Sequence, residues 1–143
     1  MIIPDINLLI YAYNGAAPAH VHARAWLEQL MRDQTPVAIP WVVSLGFVRI
    51  MTHPSILVDP LHPSQALDIL ETWYGRSHVL RLEPGPRHLS ILRGLLSHLG
   101  VAGNLTTDSH LAAMAIEYKA ELHTNDTDFR RFHGLNWHNP LDV

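Results

Sequence analysis

Short apolar runs alternate along the chain with stretches whose apolar residues recur at helical spacing. The run from Met1 to Pro4 reads as a buried strand closed by its proline, and Asp5 to Tyr13 then takes up helical spacing. Asn14-Gly15 makes a turn, and Pro18 opens a second helix whose predicted inner face is Val21, Ala25, Trp26 and Leu30. Val37 to Pro40 is a second short strand. From Trp41 to about Thr52, the residues Val42, Leu45, Phe47 and Val48 cover more than one stripe. That pattern predicts a helix buried on two sides or lying in a subunit interface, ended by His53-Pro54. Pro63 opens a helix carrying Ala66, Leu67, Leu70 and Trp73, and Val79 to Leu82 reads as a third strand. Pro86 begins a helix with Leu89, Leu92, Leu95, Leu96 and Leu99 turned inward, stopped by Gly100. After a turn at Gly103-Asn104, the alanine-rich stretch from Thr107 to Glu117 is helical. Glu121 to Thr124 is a fourth strand, and Gly134 to His138 a candidate fifth.

Short strands alternating with helices imply a parallel sheet covered on both faces: a three-layer α/β/α domain around four to five short strands. Sites in such folds gather at the carboxyl ends of the strands. A length of 143 residues, without repeats or Gly/Ser linkers, makes residues 1–143 one domain. Asp5 interrupts the apolar start before a secretory h-region forms, so export is not expected. The longest charge-free stretch, Gln34 to Val48, contains Pro36 and Pro40 and is too short for a membrane span. With no cysteine, the chain has no thiolate zinc site, thiol nucleophile or disulfide scaffold, which is compatible with a reducing cytosol.

The acids then sharpen the picture. Asp5 directly follows the first strand, Asp108 opens the alanine-rich helix, and Asp126 and Asp128 follow the fourth strand, so all four are plausible neighbours on one edge of the sheet. Clustered carboxylates raise one another's pKa unless a cation neutralises them, and oxygen donors without sulfur select hard ions such as Mg²⁺ or Mn²⁺. Such a centre polarises phosphodiesters and activates water, which points to phosphoryl transfer or nuclease chemistry. Taken singly, each acid has a plainer reading: Asp5 and Asp108 as helix N-caps, and Asp126-Thr127-Asp128 as a turn bonded to its own backbone.

The remaining polar residues say less. Eleven histidines show no zinc spacing; His20 and His22 point to nearly opposite helix faces, and His110 points away from Asp108. No nucleophile elbow or phosphate-binding loop is present. Arg49, Arg87, Arg93, Lys119, Arg130 and Arg131 could form a phosphate-contacting rim, with Arg130 and Arg131 best placed and Arg49 the one most readily drawn to the acids. Trp41, Trp73 and Tyr74 could stack on bases, although Trp41 at the head of an apolar helix reads as core or interface.

Five segments carry a resemblance over nearly the whole chain. They are Ile3-Pro4-Asp5-Ile6-Asn7 through Tyr11; Pro40-Trp41 and Arg49 through Pro54; Gly103 through Asp108-Ser109-His110 to Ala113; Thr124-Asn125-Asp126-Thr127-Asp128-Phe129; and Trp137-His138-Asn139-Pro140. Their order and spacing resemble the PIN-domain ribonucleases of the VapC toxin type. The resemblance implies a cytoplasmic, Mg²⁺-dependent endoribonuclease, homodimeric and restrained by a small VapB-type antitoxin. It assigns metal binding to Asp5, Asp108 and Asp126 or Asp128, and support of those acids to Asn7 and Thr107. One position departs from the pattern: where many such domains carry a Glu, this chain has Gly46, and no acid lies between Asp33 and Asp59 to replace it. One tightly held ion is therefore expected, or a second recruited with the RNA phosphate.

Two other functions compete. An aspartyl phosphatase would use Asp5 as nucleophile, but Asn7 stands where a second acid is needed. A catalytically silent module that binds RNA or protein would account for Gly46. The net charge of −3, from 13 acids and 10 basic residues, excludes a long basic track. Setting aside the four clustered carboxylates leaves nine acids against ten basic residues, so the acidity is local. RNA recognition would then rest on shape and a few contacts, with a shallow salt dependence.

Overall fold

The computed structural model describes residues 1–142. Five strands alternate with six α-helices: β1 (Ile2–Pro4), α1 (Ile6–Tyr13), α2 (His20–Arg32), β2 (Val37–Ala38), α3 (Trp41–Met51), α4 (Pro63–Tyr74), β3 (Val79–Leu80), α5 (His88–Leu99), α6 (Thr106–Glu117), β4 (Glu121–His123) and β5 (Trp137–His138). Short 3₁₀ turns at Gly103–Leu105 and Thr127–Arg131 precede α6 and follow β4. The sheet is wholly parallel in the order β3-β2-β1-β4-β5, as the alternating pattern predicts, and the candidate fifth strand is real.

This order places the site. The chain steps outward from β1 to β2 to β3 and then returns across the sheet to β4 on the other side of β1. Right-handed crossovers put the outward helices on one face and α5 and α6 on the other. The direction reverses between β1 and β4, and the crevice beyond the carboxyl ends of such a strand pair is where open α/β sheets bind ligands. Asp5 is the first residue after β1, and Thr124 the first after β4.

The core lies on both sides of the sheet. Ile3, Val37, Ile39, Leu122 and the α1 residues Leu8 and Leu9 are fully buried, and Phe47 of α3 meets Tyr13 of α1 and Trp73 of α4 edge-on, with Tyr13 and Trp73 tilted against each other. In α6 the run Leu111 to Ala115 is buried all round, because small alanines let this helix lie close on the sheet.

Several helix faces depart from expectation. In α2 the buried stripe is Ala23, Leu27 and Leu30, with Trp26 at its margin, while Ala25 is exposed and Val21 is 74% exposed. The helix starts at His20, two residues past Pro18, and Val21 lies in its open first turn. Only Leu95 of α5 is buried; Leu92, Leu96 and Leu99 are half-buried and Leu89 is 67% exposed, because α5 rests on α6 at the rim. In α4, Leu67 faces outward while Ala66, Leu70 and Trp73 are buried. Helix α3 buries Val43, Ser44, Gly46, Phe47 and Met51 and leaves Trp41 and Leu45 exposed, so Trp41 is not core. Gly100 ends α5 with φ of 75°, the left-handed conformation expected of it.

Candidate active site

The β1–β4 ladder continues past the strands. The Asp5 backbone N–H donates to His123 O at 2.8 Å, which sets Asp5 beside Thr124. Both side chains point into the crevice edge and meet there: Thr124 Oγ1 donates to Asp5 Oδ2 at 2.7 Å, wholly buried, and accepts from the Asp126 backbone N–H at 3.0 Å. Asp5 Oδ1 accepts from the Ile6 N–H at 2.8 Å, so Asp5 also caps α1 as its plainer reading has it. Burial raises the Asp5 pKa, the two hydrogen bonds partly offset that rise, and Asp126 adds to it. Asp126 Oδ1 in turn caps the 3₁₀ turn through the Asp128 N–H at 2.9 Å.

Asp108 approaches from the other side of the crevice, in the first turn of α6. It does not cap that helix: the N-cap is Leu105, and Thr106 closes the turn through Gly103 O. Its carboxylate accepts no hydrogen bond among the described residues, although it is half-buried. Burial first, then the charges of Asp5, Asp126 and Asp128, push its pKa up to about 6. These three couplings place all four acids in one field. Even so, among the described residues no three His, Asp or Glu side chains are gathered closely enough to hold one ion as they stand.

The other expected residues lie more loosely around this group. Asn7 and Thr107 are exposed and make no hydrogen bond to the acids. Arg131 reaches Asp128 at 3.7 Å, while Arg130 beside it is exposed and in no ion pair among the described residues. Arg49 is not drawn to the cluster. It lies in the last turn of α3, two turns beyond the end that follows β2, because the helix begins at the site and runs away from it.

Two features were not singled out from sequence. Thr124 links Asp5 to Asp126; a hydroxyl between a strand and an Asx turn was its only local signal. His123, buried behind it, accepts from Trp26 Nε1 at 3.0 Å through Nδ1 and donates to Glu121 from Nε2 at 2.8 Å. That fixes the neutral ring in one tautomer and ties α2 to the end of β4. At Gly46 the finding is steric: a Cβ built there would stand 2.6 Å from Ile6 Cδ1. The isoleucine next to Asp5 fills the space into which a side chain at position 46 would grow.

Comparison with known proteins bears on what this edge does. The PIN domain family model matches residues 2–135. Ribonuclease VapC33 of Mycobacterium tuberculosis is 45% identical over 141 residues, 99% of both chains, and VapC ribonuclease Mb2897 of Mycobacterium bovis is 35% identical, covering 99% of this chain and 97% of its own. Among solved structures, VapBC-1 from nontypeable Haemophilus influenzae aligns with a TM-score of 0.68 at 19% identity over 98% of each chain. VapBC2 from Rickettsia felis, solved bound to a promoter DNA fragment, aligns at 0.67 and 22%, covering 97% of this chain and 98% of that one.

Proposed function

The chain belongs to the PIN-domain family, among its VapC-type toxins, and from that premise we propose that it is a Mg²⁺-dependent endoribonuclease centred on Asp5, Asp108 and Asp126. The observation that carries the metal centre is Asp108: a half-buried carboxyl without a hydrogen bond, held near pKa 6 by burial and three neighbouring carboxylates. A divalent cation relieves that cost, and the donors are all oxygen, which suits Mg²⁺, with Mn²⁺ able to substitute. Bound there, the ion supplies Lewis acidity toward a phosphodiester and activates water for in-line attack.

The chain's own residues supply the positioning. Asp5 is fixed through both oxygens by Ile6 and Thr124, so it presents its remaining lone pairs without rotamer freedom. Asp126 keeps Oδ2 free, and Asp108 keeps both oxygens free to close on the ion. Asp128 is an alternative or outer ligand. Asn7 and Thr107 stand near enough in sequence to Asp5 and Asp108 to complete the shell as it tightens. Arg130 and Arg131 contact the RNA backbone near the acids, and Arg49 contacts it further out. The natural setting is cytoplasmic, as a homodimer with a VapB-type antitoxin.

The number of ions follows from Gly46. With no acid between Asp33 and Asp59, no carboxylate enters from α3, and on this reading the free protein holds one ion tightly. An aspartyl phosphatase is disfavoured, since Asp5 is 6% exposed with both oxygens engaged. The missing carboxylate at Gly46 is what favours a silent RNA-binding module.

Purified protein is expected to cleave RNA with Mg²⁺ and to lose that activity in Asp5→Asn and in Asp108→Asn. Unchanged cleavage in both variants refutes the assignment, and metal-independent RNA binding without cleavage establishes the silent module. Calorimetric titration with Mn²⁺ is expected to give one tight site; two would overturn the one-ion reading.

A further inference from the structure

On the β2 side of the sheet's carboxyl edge, across α6 from Asp108, lies an open cleft of about 290 Å³ lined by Pro40, Trp41, Leu82, Glu83, His110 and Met114 among others. Trp41 stands three residues past the end of β2 and Asp5 directly past the end of β1, so the cleft opens on the same carboxyl edge of the parallel sheet. His110 lies two residues from Asp108 on α6 and so leaves the helix on a different face, which puts α6 between the cleft and the acids.

Trp41 is 45% exposed, yet it is not loose. It rests on Tyr74, with centroids 5.7 Å apart, and Tyr74 is pinned by donation to Ile39 O at 2.9 Å and by a 2.7 Å hydrogen bond with Ser44 Oγ. The Arg81 guanidinium sits 4.5 Å from the Tyr74 ring centre, bringing a cation to the same stack. The opposite wall is strapped down: Tyr118 donates to Glu83 O at 2.7 Å, and the Gly85 and Arg87 N–H groups donate to the Glu117 carboxylate.

A hydrogen-bond donor can also be assigned. His88 Nε2 and His110 Nδ1 are 2.9 Å apart, and His88 Nδ1 is buried without a partner. A buried N–H without an acceptor is rarer than a buried lone pair without a donor, so the His88 proton belongs on Nε2 and is donated to His110. Neutral His110 then carries its own proton on Nε2, where no protein group among the described residues accepts it.

A rigid exposed aromatic face, an adjacent cation and a ring N–H beside a phosphodiester-cleaving centre match a nucleobase in its sugar-phosphate setting. The geometry points to this cleft as a base-binding subsite: an unpaired RNA base flanking the scissile phosphate stacks on Trp41 and accepts a hydrogen bond from His110 Nε2–H. This rests on the ribonuclease reading above, and it adds that the substrate is presented as single strand.

The test measures a short fluorescently labelled single-stranded RNA against the inactive Asp108→Asn protein, alone and combined with Trp41→Ala or Trp41→Phe, with Mg²⁺ cleavage kinetics in the active background. Losing one stacking contact is expected to weaken binding about 10-fold in Trp41→Ala and to raise KM with little change in kcat, while Trp41→Phe retains most of the affinity. If the unsubstituted protein cleaves but Trp41→Ala binds RNA as tightly, the subsite is overturned while the ribonuclease reading stands. If the unsubstituted protein neither binds nor cleaves RNA, both fall. Light scattering decides the remaining case: a Trp41→Ala protein of smaller assembly size makes Trp41 a contact between copies and overturns the subsite.

Discussion

The two halves of the acidic crevice are built on opposite terms. On the β1–β4 side every group is tied: Asp5 accepts two hydrogen bonds, Thr124 donates one and accepts one, and Asp126 caps its own turn. On the α6 side the two residues nearest the site are untied: among the described residues Asp108 accepts no hydrogen bond, and the hydroxyl of Ser109 next to it is buried without a partner. One side is scaffold, in which removing a polar group leaves others orphaned. Burial imposes an electrostatic cost on both sides, but hydrogen bonds offset part of it at Asp5, whereas at Asp108 none does and a cation is what can cancel it. The proposed centre needs both sides: Asp5 and Asp126 are held in place, and Asp108 has the most to gain from an ion because no hydrogen bond offsets its cost.

The sharpest way to break this contrast is at Thr124. Thr124→Val keeps the shape and removes the hydroxyl, leaving a buried Asp5 oxygen and the Asp126 N–H without partners. The loss is expected to be about 2–3 kcal/mol in urea unfolding at neutral pH. The sign with pH follows from Asp5. Its folded pKa is raised, and the Thr124 bond is one of the effects that hold it down, so the variant raises it further. A carboxyl with a raised folded pKa destabilises the fold once ionised. The gap between variant and parent therefore narrows as pH falls below the Asp5 pKa and the carboxyl protonates in both. A gap that widens in acid would show that the Thr124 bond does not favour the ionised form.

The next effect is steric and tests the wall behind Asp5. Gly46→Ala puts a methyl 2.6 Å from Ile6 Cδ1, the movable end of that side chain; set against about 1 kcal/mol of helix propensity gained, the net cost is expected to be at most about 2 kcal/mol. Ile6→Val deletes that terminal carbon, so the double variant recovers part of the loss. The coupling between the two positions, read from a double-mutant cycle, separates this contact from a general intolerance of side chains in α3. Additive effects would mean that Ile6 does not fill the position 46 space.

Sequence alone reached the strand order's consequence but not these contacts. The alternation of runs predicts the parallel sheet, and acids after the first and fourth strands predict a shared edge, because both follow from local periodicity and from the rule for strand ends. The Asp5–Thr124 bond joins residues 119 apart in the chain, and the Ile6–Gly46 contact depends on how α1 crosses α3; neither leaves a local pattern. Helix faces failed where an element borders solvent. Val21 and Leu89 fit an apolar stripe by spacing, yet lie at helix ends that nothing covers. Arg49 fails for a related reason, since its distance from the acids is set by the direction of α3.

On the α6 side, pH and metal should act together. The Asp108 carboxyl titrates near 6 in the fold against an ordinary value of 3.8, so the metal-free protein loses stability as pH rises between those values. At full strength that is about 3 kcal/mol, and about 1–2 kcal/mol once solvent screening of a half-buried group is allowed for. Saturating Mn²⁺ is expected to abolish the loss, and Mn²⁺ affinity to climb as pH rises to about 6 and then level off. Asp108→Asn removes its own share of the decline without metal and leaves that of Asp5. A thermal-unfolding profile flat from pH 4 to 7 in the metal-free parent would contradict the electrostatic cost assigned to this half.

The smallest effect sets two hydroxyls against each other. Thr124 and Ser109 are both fully buried beside a site aspartate, but Thr124 Oγ1 is bonded on both sides and Ser109 Oγ on neither. Burying an unpaired hydroxyl costs free energy, and serine is also a weaker helix former than alanine inside α6. Ser109→Ala therefore removes a cost rather than a contact, and is expected to stabilise the protein by about 0.5–1 kcal/mol. For a chain of this size that is a rise in Tm of about 2–4 °C. The same deletion of a buried hydroxyl should thus carry opposite signs on the two walls of one crevice. A fall in Tm on Ser109→Ala would mean that the α6 wall is tied as firmly as the β1–β4 wall. The free carboxylate of Asp108 would then be an exception on its own helix.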